Sequence, residues 1–185
     1  MYLLPFMVFY FLFVKLKYNF KKLFTIFVAF SIIVVESGTK CMFFGSYQHI
    51  LDAKGRMMIP SKFRSQIGEK VFIMRGYDRC ISIYKEEDFL HRMEEAQKLY
   101  YNKEDPRRVV RVETRSVVEL EIDDAGRILL PKKTLSNYEI GRKVMIVGVI
   151  DHFEVWDLDA WNKYIDEAEK SYETDSDNLK EGKPE

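Results

Sequence analysis

The chain contains few of the residues from which metal centres and disulfide frameworks are built. Among its 185 residues there are two cysteines, Cys41 and Cys80, and three histidines. Because the sequence has neither a Cys-x-x-Cys nor a His-Glu-x-x-His motif, it supplies no ligand set for zinc. Two widely separated cysteines also argue against a disulfide framework and favour a reducing compartment. We therefore expect no metal and no cofactor.

Signatures of catalysis are lacking as well. No Ser, His and Asp arrangement and no paired-carboxylate cleft stands out, and the segments that begin at Gly68 and Gly141 lack the spacing of a P-loop. An aromatic-flanked histidine on a strand, such as His49, is usually packed. The sequence therefore predicts a protein that is not an enzyme and has no small-molecule substrate.

The chain also lacks a long uninterrupted apolar run. Residues 1–41 form an apolar N-terminal extension, but four lysines between positions 15 and 22 divide it into runs shorter than the ~20 residues of a membrane helix. Lys21 and Lys22 with the apolar residues after them imitate a signal peptide, yet residues 36–41 offer no small-x-small cleavage site. We expect an over-extended start, translated from upstream sequence, and keep a membrane leader as the alternative.

Neither sign of charge is in excess overall. The formal net charge is zero, with 29 basic and 29 acidic residues, and residues 42–156 carry a net charge of +2. Non-specific affinity for DNA grows with the number of phosphates neutralised, so this charge cannot hold DNA by bulk electrostatics. Local basic patches or many copies would be needed. The acidic residues 173–185 predict a disordered tail.

An internal repeat is what the sequence does contain. Residues 52–64 read Asp-Ala-Lys-Gly-Arg-Met-Met-Ile-Pro-Ser-Lys-Phe-Arg, and residues 123–135 read Asp-Asp-Ala-Gly-Arg-Ile-Leu-Leu-Pro-Lys-Lys-Thr-Leu. Asp, Gly, Arg and Pro recur with a constant displacement of 71 positions. Asp followed three residues later by Gly is typical of a tight turn, because the carboxylate accepts from backbone amides and Gly tolerates positive φ. The apolar run and the proline then predict a short strand and a short helix.

An amphipathic helical stripe follows in each half of the chain. Apolar residues at spacings i, i+4, i+7 and i+11 recur with a displacement of 72 positions, which extends the duplication to the helices. Such a stripe ordinarily marks core packing or a subunit interface. The two sets are Phe89, Met93, Ala96 and Tyr100, and Trp161, Ile165, Ala168 and Tyr172.

The densest positive stretch of the body lies between the two halves, at residues 103–115, and includes Arg107 and Arg108. These arginines fit a solvated linker in which they pair with neighbouring acids. They fit contact with DNA phosphates equally well, so both alternatives stay open.

The two Asp-x-x-x-Arg copies and the Phe-x-Gly-x-Tyr-x-His lead-in at residues 43–49 resemble the MraZ family, over about residues 42–172. The resemblance implies a bacterial transcriptional regulator of α+β class, mainly β. Its fold would be two tandem swapped-hairpin, AbrB-like β-barrel-type repeats, at residues 42–104 and 105–172, each closed by an amphipathic helix. Members of the family assemble into rings and bind short direct DNA repeats upstream of cell-division and cell-wall genes.

The resemblance also assigns roles within the turns. Arg56 and Arg127, with Lys54 beside them, would face DNA, because the arginine fork can address guanine or clamp a phosphate. The alternative is that each arginine only pairs with the aspartate of its own turn. The first copy is expected to add more positive charge, since the second has Ala125 in place of lysine. The turns themselves would be shaped by Asp52, Gly55, Asp123 and Gly126.

The resulting prediction is a cytoplasmic, nucleoid-associated homo-oligomer that binds double-stranded DNA. Two alternatives of another class stay open. One is an antitoxin-like partner protein, since swapped-hairpin domains also occur in antitoxins, and the other is an interaction scaffold tethered to the membrane through residues 1–35.

Overall fold

The structure, a computed structural model, describes residues 42–98 and 104–180. Along these residues eight strands and five helices follow one another. They are β1 (Phe43–Ile50), β2 (Arg56–Met58), α1 (Ser61–Arg64), β3 (Lys70–Arg75), β4 (Ile81–Lys85), α2 (Glu86–Gln97), α3 (Glu104–Thr114), β5 (Val118–Glu121), β6 (Arg127–Leu129), α4 (Lys132–Asn137), β7 (Lys143–Ile150), β8 (His152–Asp157) and α5 (Leu158–Lys180).

The two repeats interleave in their strand pairing. Six strands form one antiparallel sheet in the order β1-β7-β8-β4-β3-β5, while β2 and β6 pair with each other as a separate two-stranded ribbon. In the sheet, β1 of the first repeat pairs with β7 of the second, and β5 of the second pairs with β3 of the first. This exchange is a swapped-hairpin arrangement, and the predicted α+β fold built mainly on strands is confirmed. The larger hydrophobic core contains residues of both repeats, and a smaller cluster forms around Met74, Tyr84 and Phe89.

The ribbon covers the inner face of the sheet. Side chains alternate along a strand, so Met57 and Ile128, which pair with each other, both point inward and are fully buried. Beneath them Phe63 of α1 meets the rings of Phe43 and Phe153 with centroids 5.3 Å apart in both cases. Burying each such side chain stabilises the fold by about 1.5–3 kcal/mol. The core thereby fixes the position of the ribbon.

The two amphipathic helices pack on the sheet as their periodicity predicts. Phe89 of α2 is buried and stacks on Phe72 at 4.3 Å, and Trp161 of α5 meets Trp156 at 5.4 Å. The stripes do not pack along their whole length, since Tyr172 is largely exposed. Tyr100 lies outside the described residues.

The C-terminal helix is longer than the composition predicts. Residues 173–180, expected to belong to a disordered tail, continue α5 as far as Lys180. Residues 181–185 lie outside the described part of the chain. The acids that suggested disorder are compatible with a helix whose surface is solvated.

The connection between the halves is also helical. Residues 104–114, within the stretch for which a solvated linker and a phosphate contact are both open alternatives, form the helix α3. Two acids in the first turn, Glu104 and Asp105, suit the positive end of the helix dipole, and Arg108 pairs with both of them. Pro106 lies in the first turn, where its missing N–H is tolerated. The charged residues of this stretch are therefore spaced to pair along a helix, at i,i+3 and i,i+4.

Within residues 42–98 and 104–180, no helix combines the length and the apolar character that crossing a bilayer requires. The hypotheses of an over-extended start, a leader or a membrane tether concern residues 1–41, which lie outside the described residues.

Candidate nucleic-acid interface

The first Asp-x-x-x-Arg turn connects β1 to β2 and is shaped by Asp52. One carboxylate oxygen, Oδ1, accepts hydrogen bonds from the backbone amides of Lys54 at 2.8 Å and Arg56 at 2.9 Å. The amide of Gly55 donates to the carbonyl of Asp52 at 3.0 Å. Gly55 adopts φ +87°, a conformation that residues with a side chain rarely reach. Lys54 is exposed at the tip of the turn.

The second turn repeats this geometry between β5 and β6. Asp123 Oδ1 accepts from the amides of Ala125 at 3.1 Å and Arg127 at 2.9 Å, and the amide of Gly126 donates to the carbonyl of Asp123 at 2.7 Å. Gly126 adopts φ +77°. The sequence-predicted turn residues therefore occupy equivalent positions in the two repeats.

Each aspartate also holds the arginine of its own turn. In the second turn Nε and Nη2 of Arg127 lie 2.9 and 2.8 Å from Asp123 Oδ2, whereas Arg56 Nη1 lies 3.9 Å from Asp52 Oδ2. The guanidinium of Arg127 holds the pKa of Asp123 below its usual value, and the amide of Arg56 does the same for Asp52. Both arginine side chains remain about one-third exposed, at 36% and 37%. Each arginine is therefore paired with the aspartate of its turn while part of its side chain remains exposed to solvent.

The ribbon brings both arginines to one surface. Arg56 pairs with Leu129 and Met58 pairs with Arg127, so these four side chains share the face of the ribbon that points away from the core. Arg56 and Arg127 are diagonal neighbours on this face, and such neighbours are usually about 7–8 Å apart, with their Cβ atoms somewhat closer. Met58 and Leu129 are 37% and 52% exposed. We call the surface formed by Arg56, Met58, Arg127 and Leu129 the outer ribbon face.

The turns lie at opposite ends of this face. The carbonyl of Gly55 accepts from the amide of Leu130, and the carbonyl of Gly126 accepts from the amide of Ile59, both at 3.1 Å. These two bonds extend the ribbon equally at both ends. The result is a local two-fold arrangement of the repeats, with a turn and an arginine at each end.

Arg64, which sequence reasoning did not single out, joins the second turn. It ends α1 of the first repeat, yet Nη1 donates to the carbonyl of Ala125 at 3.2 Å and Nη2 approaches Met58 Sδ at 3.6 Å. Its side chain therefore reaches the outer ribbon face beside a turn 61 positions away. In the sequence, the one signal for Arg64 is that it is the last residue of the repeated segment 52–64.

Arg107 and Arg108 are not brought to the outer ribbon face. They belong to α3, whose C-terminal end is followed by Ser116, and Ser116 Oγ accepts from the amide of Arg75 at the end of β3. The second turn instead begins beside Glu69 and the start of β3, where the amide of Ile122 donates to the Glu69 carbonyl. Between these ends β3 has six residues, about 3.3 Å apart. Any DNA contact by the α3 arginines would be separate from the turns.

His49 is half-buried on β1, and burial lowers its pKa. In the described part of the chain, no three His, Cys, Asp or Glu side chains are grouped so that they could hold a metal ion. The turns and the ribbon between them are therefore the best candidate site.

Known proteins share the internal repeat of this chain. The family model described as "MraZ protein, putative antitoxin-like" matches the chain twice, over residues 42–112 and 115–181. A relative named Transcriptional regulator MraZ, from Ligilactobacillus salivarius (strain UCC118), is 38% identical over 138 residues. The alignment covers 75% of this chain and 96% of the relative. The chain belongs to the MraZ family.

Proposed function

We propose that this protein is a sequence-specific, DNA-binding transcriptional regulator that reads DNA with the outer ribbon face and its two turns. A relative that bears the name of a transcriptional regulator supports this function. The observation that carries the proposal is the register of the ribbon, which puts Arg56 and Arg127 from different repeats on one exposed face. As a regulator of chromosomal genes, the protein would be cytoplasmic and nucleoid-associated.

The dimensions of a two-stranded ribbon suit the proposal. The major groove of B-DNA admits a two-stranded β-ribbon, and an arginine can bind guanine O6 and N7 bidentately. The aspartate of each turn limits the rotation of its arginine, so less side-chain entropy is lost when the guanidinium binds. Met58 and Leu129, exposed between the arginines, can contact thymine methyl groups. The outer ribbon face therefore offers both polar and apolar contacts to base edges.

Affinity would come from the number of copies. Residues 42–156 carry a net charge of only +2, so one chain neutralises few phosphates. A closed ring would present the same turns at regular intervals, and linked contacts multiply affinity by ~10² or more. Exposed apolar side chains on β1 and β7, including Phe44 and Ile150, support such self-association. The DNA matched to a ring is a row of short direct repeats, here proposed to lie upstream of cell-division and cell-wall genes.

The test is binding of purified full-length protein to duplex DNA taken from directly upstream of its own gene. Arg56→Ala and Arg127→Ala should each weaken binding, since a bidentate arginine–guanine contact is worth about 1–3 kcal/mol, or about 5- to 150-fold in Kd. Lys163→Ala is the control, because it removes an exposed charge from α5, a helix that packs on β7 and β8. Light scattering should give the same oligomer for all four proteins.

Two results would count against the proposal. If Arg56→Ala and Arg127→Ala bind the upstream duplex as tightly as the wild type, the outer ribbon face does not read DNA. If light scattering shows that the wild-type protein is a monomer, it does not form a ring.

A further inference from the structure

The two turns differ in net charge, and the fold places an additional arginine beside the turn with the lower charge. Residues 52–56 contain one acid and two bases, for a net charge of +1, whereas residues 123–127 contain two acids and one base, for a net charge of −1. The difference arises because Ala125 replaces Lys54 and Asp124 replaces Ala53. A turn of net negative charge would repel a phosphate. Taken alone, the second turn is therefore poorly suited to DNA.

Arg64 supplies the missing charge across the repeat boundary. Its guanidinium lies against the second turn, with Nη1 on the carbonyl of Ala125, the residue that stands in place of the lysine. With Arg64 included, the charge at the second turn rises from −1 to zero. The net charges at the two turns therefore differ less in the folded protein than in the sequence of the turns alone.

Within the part of the chain that the structure describes, no carboxylate forms an ion pair with Arg64. Its guanidinium contacts a backbone carbonyl and a methionine sulfur, whereas Arg56 and Arg127 each pair with an aspartate. Nε of Arg64 is buried without a hydrogen-bond partner among the same residues. Since a guanidinium has five N–H donors, donors on the two terminal nitrogens remain for an incoming anion.

The equivalent position in the second repeat shows that this feature is asymmetric. Residue 135, displaced by 71 positions from Arg64, is leucine. A Cβ built on Gly55 would lie 3.6 Å from Leu135 Cδ1, and one built on Gly126 would lie 2.3 Å from Arg64 Cζ. Each side chain thus covers the glycine of the other repeat's turn. Only the one that covers the charge-poor turn is cationic.

We propose that Arg64 contacts a DNA phosphate beside the second turn and replaces the lysine that this turn lacks. The proposal rests on the DNA-binding function proposed above. Its partner is taken to be a phosphate and not a base edge, because the bond to Ala125 places the guanidinium at the turn that ends the ribbon, and contacts of this kind position a protein on the duplex. Arg64 therefore positions the second end of the ribbon on the duplex, while Arg127 faces the groove.

The experiment measures Kd for the upstream duplex at several salt concentrations, with full-length Arg64→Leu and Arg64→Gln. Leucine copies residue 135 and its packing on glycine, and glutamine keeps a donor for the Ala125 carbonyl without the charge. For both variants we expect weaker binding and a slope of log K against log salt that is smaller by about 0.9 for each phosphate that the variant no longer neutralises. Lys163→Ala serves as the control for removal of an exposed charge.

A rescue experiment distinguishes a role of the Arg64 charge in DNA binding from a purely structural role of Arg64. Adding Ala125→Lys to Arg64→Leu should restore the wild-type salt slope, because the lysine takes the place of the second copy's missing cation. A structural role of Arg64 would give no such recovery. Unfolding and light scattering of each variant identify any loss of fold, and Arg64→Gln keeps the test valid should Arg64→Leu fail to fold.

The outcomes distinguish this proposal from the function on which it rests. If Arg56→Ala and Arg127→Ala lose binding while Arg64→Leu and Arg64→Gln keep the wild-type Kd and slope, the role of Arg64 is refuted and the outer ribbon face stands. Failure of Ala125→Lys to rescue Arg64→Leu also refutes it. If neither Arg56→Ala nor Arg127→Ala affects binding, both proposals fall together.

Discussion

Replacing Gly126 by alanine should destabilise the protein more than replacing Gly55, although the two glycines occupy equivalent positions. Both have positive φ, +77° and +87°. An L-residue in this left-handed region costs roughly 1–2 kcal/mol. This backbone contribution should be nearly the same in the two variants, so a difference between them must come from the surroundings of the new methyl group.

Those surroundings differ because of Arg64. At Gly55 the nearest atom to an added Cβ is the Leu130 carbonyl oxygen at 3.4 Å, an ordinary contact, whereas at Gly126 it is Arg64 Cζ at 2.3 Å. The guanidinium would have to move away and give up its bond to the Ala125 carbonyl. Breaking that bond adds about 1 kcal/mol. We expect about 1–2 kcal/mol for Gly55→Ala and about 2–3 kcal/mol for Gly126→Ala.

The assay is equilibrium unfolding in urea, with all proteins at the same concentration because the stability of an oligomer depends on it. A double-mutant cycle with Arg64→Ala isolates the contact. In the Arg64→Ala background, Gly126→Ala should cost no more than Gly55→Ala costs in the wild type. The coupling free energy should be about 1 kcal/mol.

Equal destabilisation in the two single glycine variants would refute this reasoning. So would a cycle without coupling, since it would mean that the Arg64 guanidinium does not lie over Gly126. Either result would also remove the geometric basis for placing Arg64 at the second turn.

Two further predictions concern the core and the pH dependence. Phe63→Ala should lower the free energy of unfolding by about 3–5 kcal/mol in urea, because its fully buried ring packs on Phe43, Tyr47 and Phe153; a decrease below about 1 kcal/mol would contradict this packing. Burial disfavours the charged form of His152, but hydrogen bonds to acidic neighbours on β8 and the preceding turn outweigh it and raise its pKa above the ordinary 6.5. His152 therefore stabilises the fold fully below pH 6.5, and the contribution is lost as pH rises through the raised pKa. Replacing His152 by glutamine should remove this pH dependence from unfolding measured between about pH 6 and 8, and an unchanged dependence would assign it to another group.

The local chemistry of the turns could be predicted from sequence because it depends on near neighbours. Asp52 accepts hydrogen bonds from residues two and four positions ahead, and Gly55 supplies the positive φ within the same five residues. The short strand and the proline-started helix follow for similar reasons. The helix α3 could not be predicted with the same ease, because its ion pairs, such as Arg108 with Asp105, are equally typical of a solvated linker.

The duplicated turn, with its aspartate, glycine and arginine, is thus determined by the sequence itself, since the hydrogen bonds to the aspartate carboxylate and carbonyl that shape it lie within a few residues. The sequence also determined that the chain repeats and that its charge is too small for bulk attraction to DNA. Only the tertiary structure decided that β2 pairs with β6, which puts Arg56 and Arg127 on one face, and that Arg64 crosses to Ala125. Both depend on contacts between residues that are far apart in the chain, and these are set by packing of the shared core and not by local propensity.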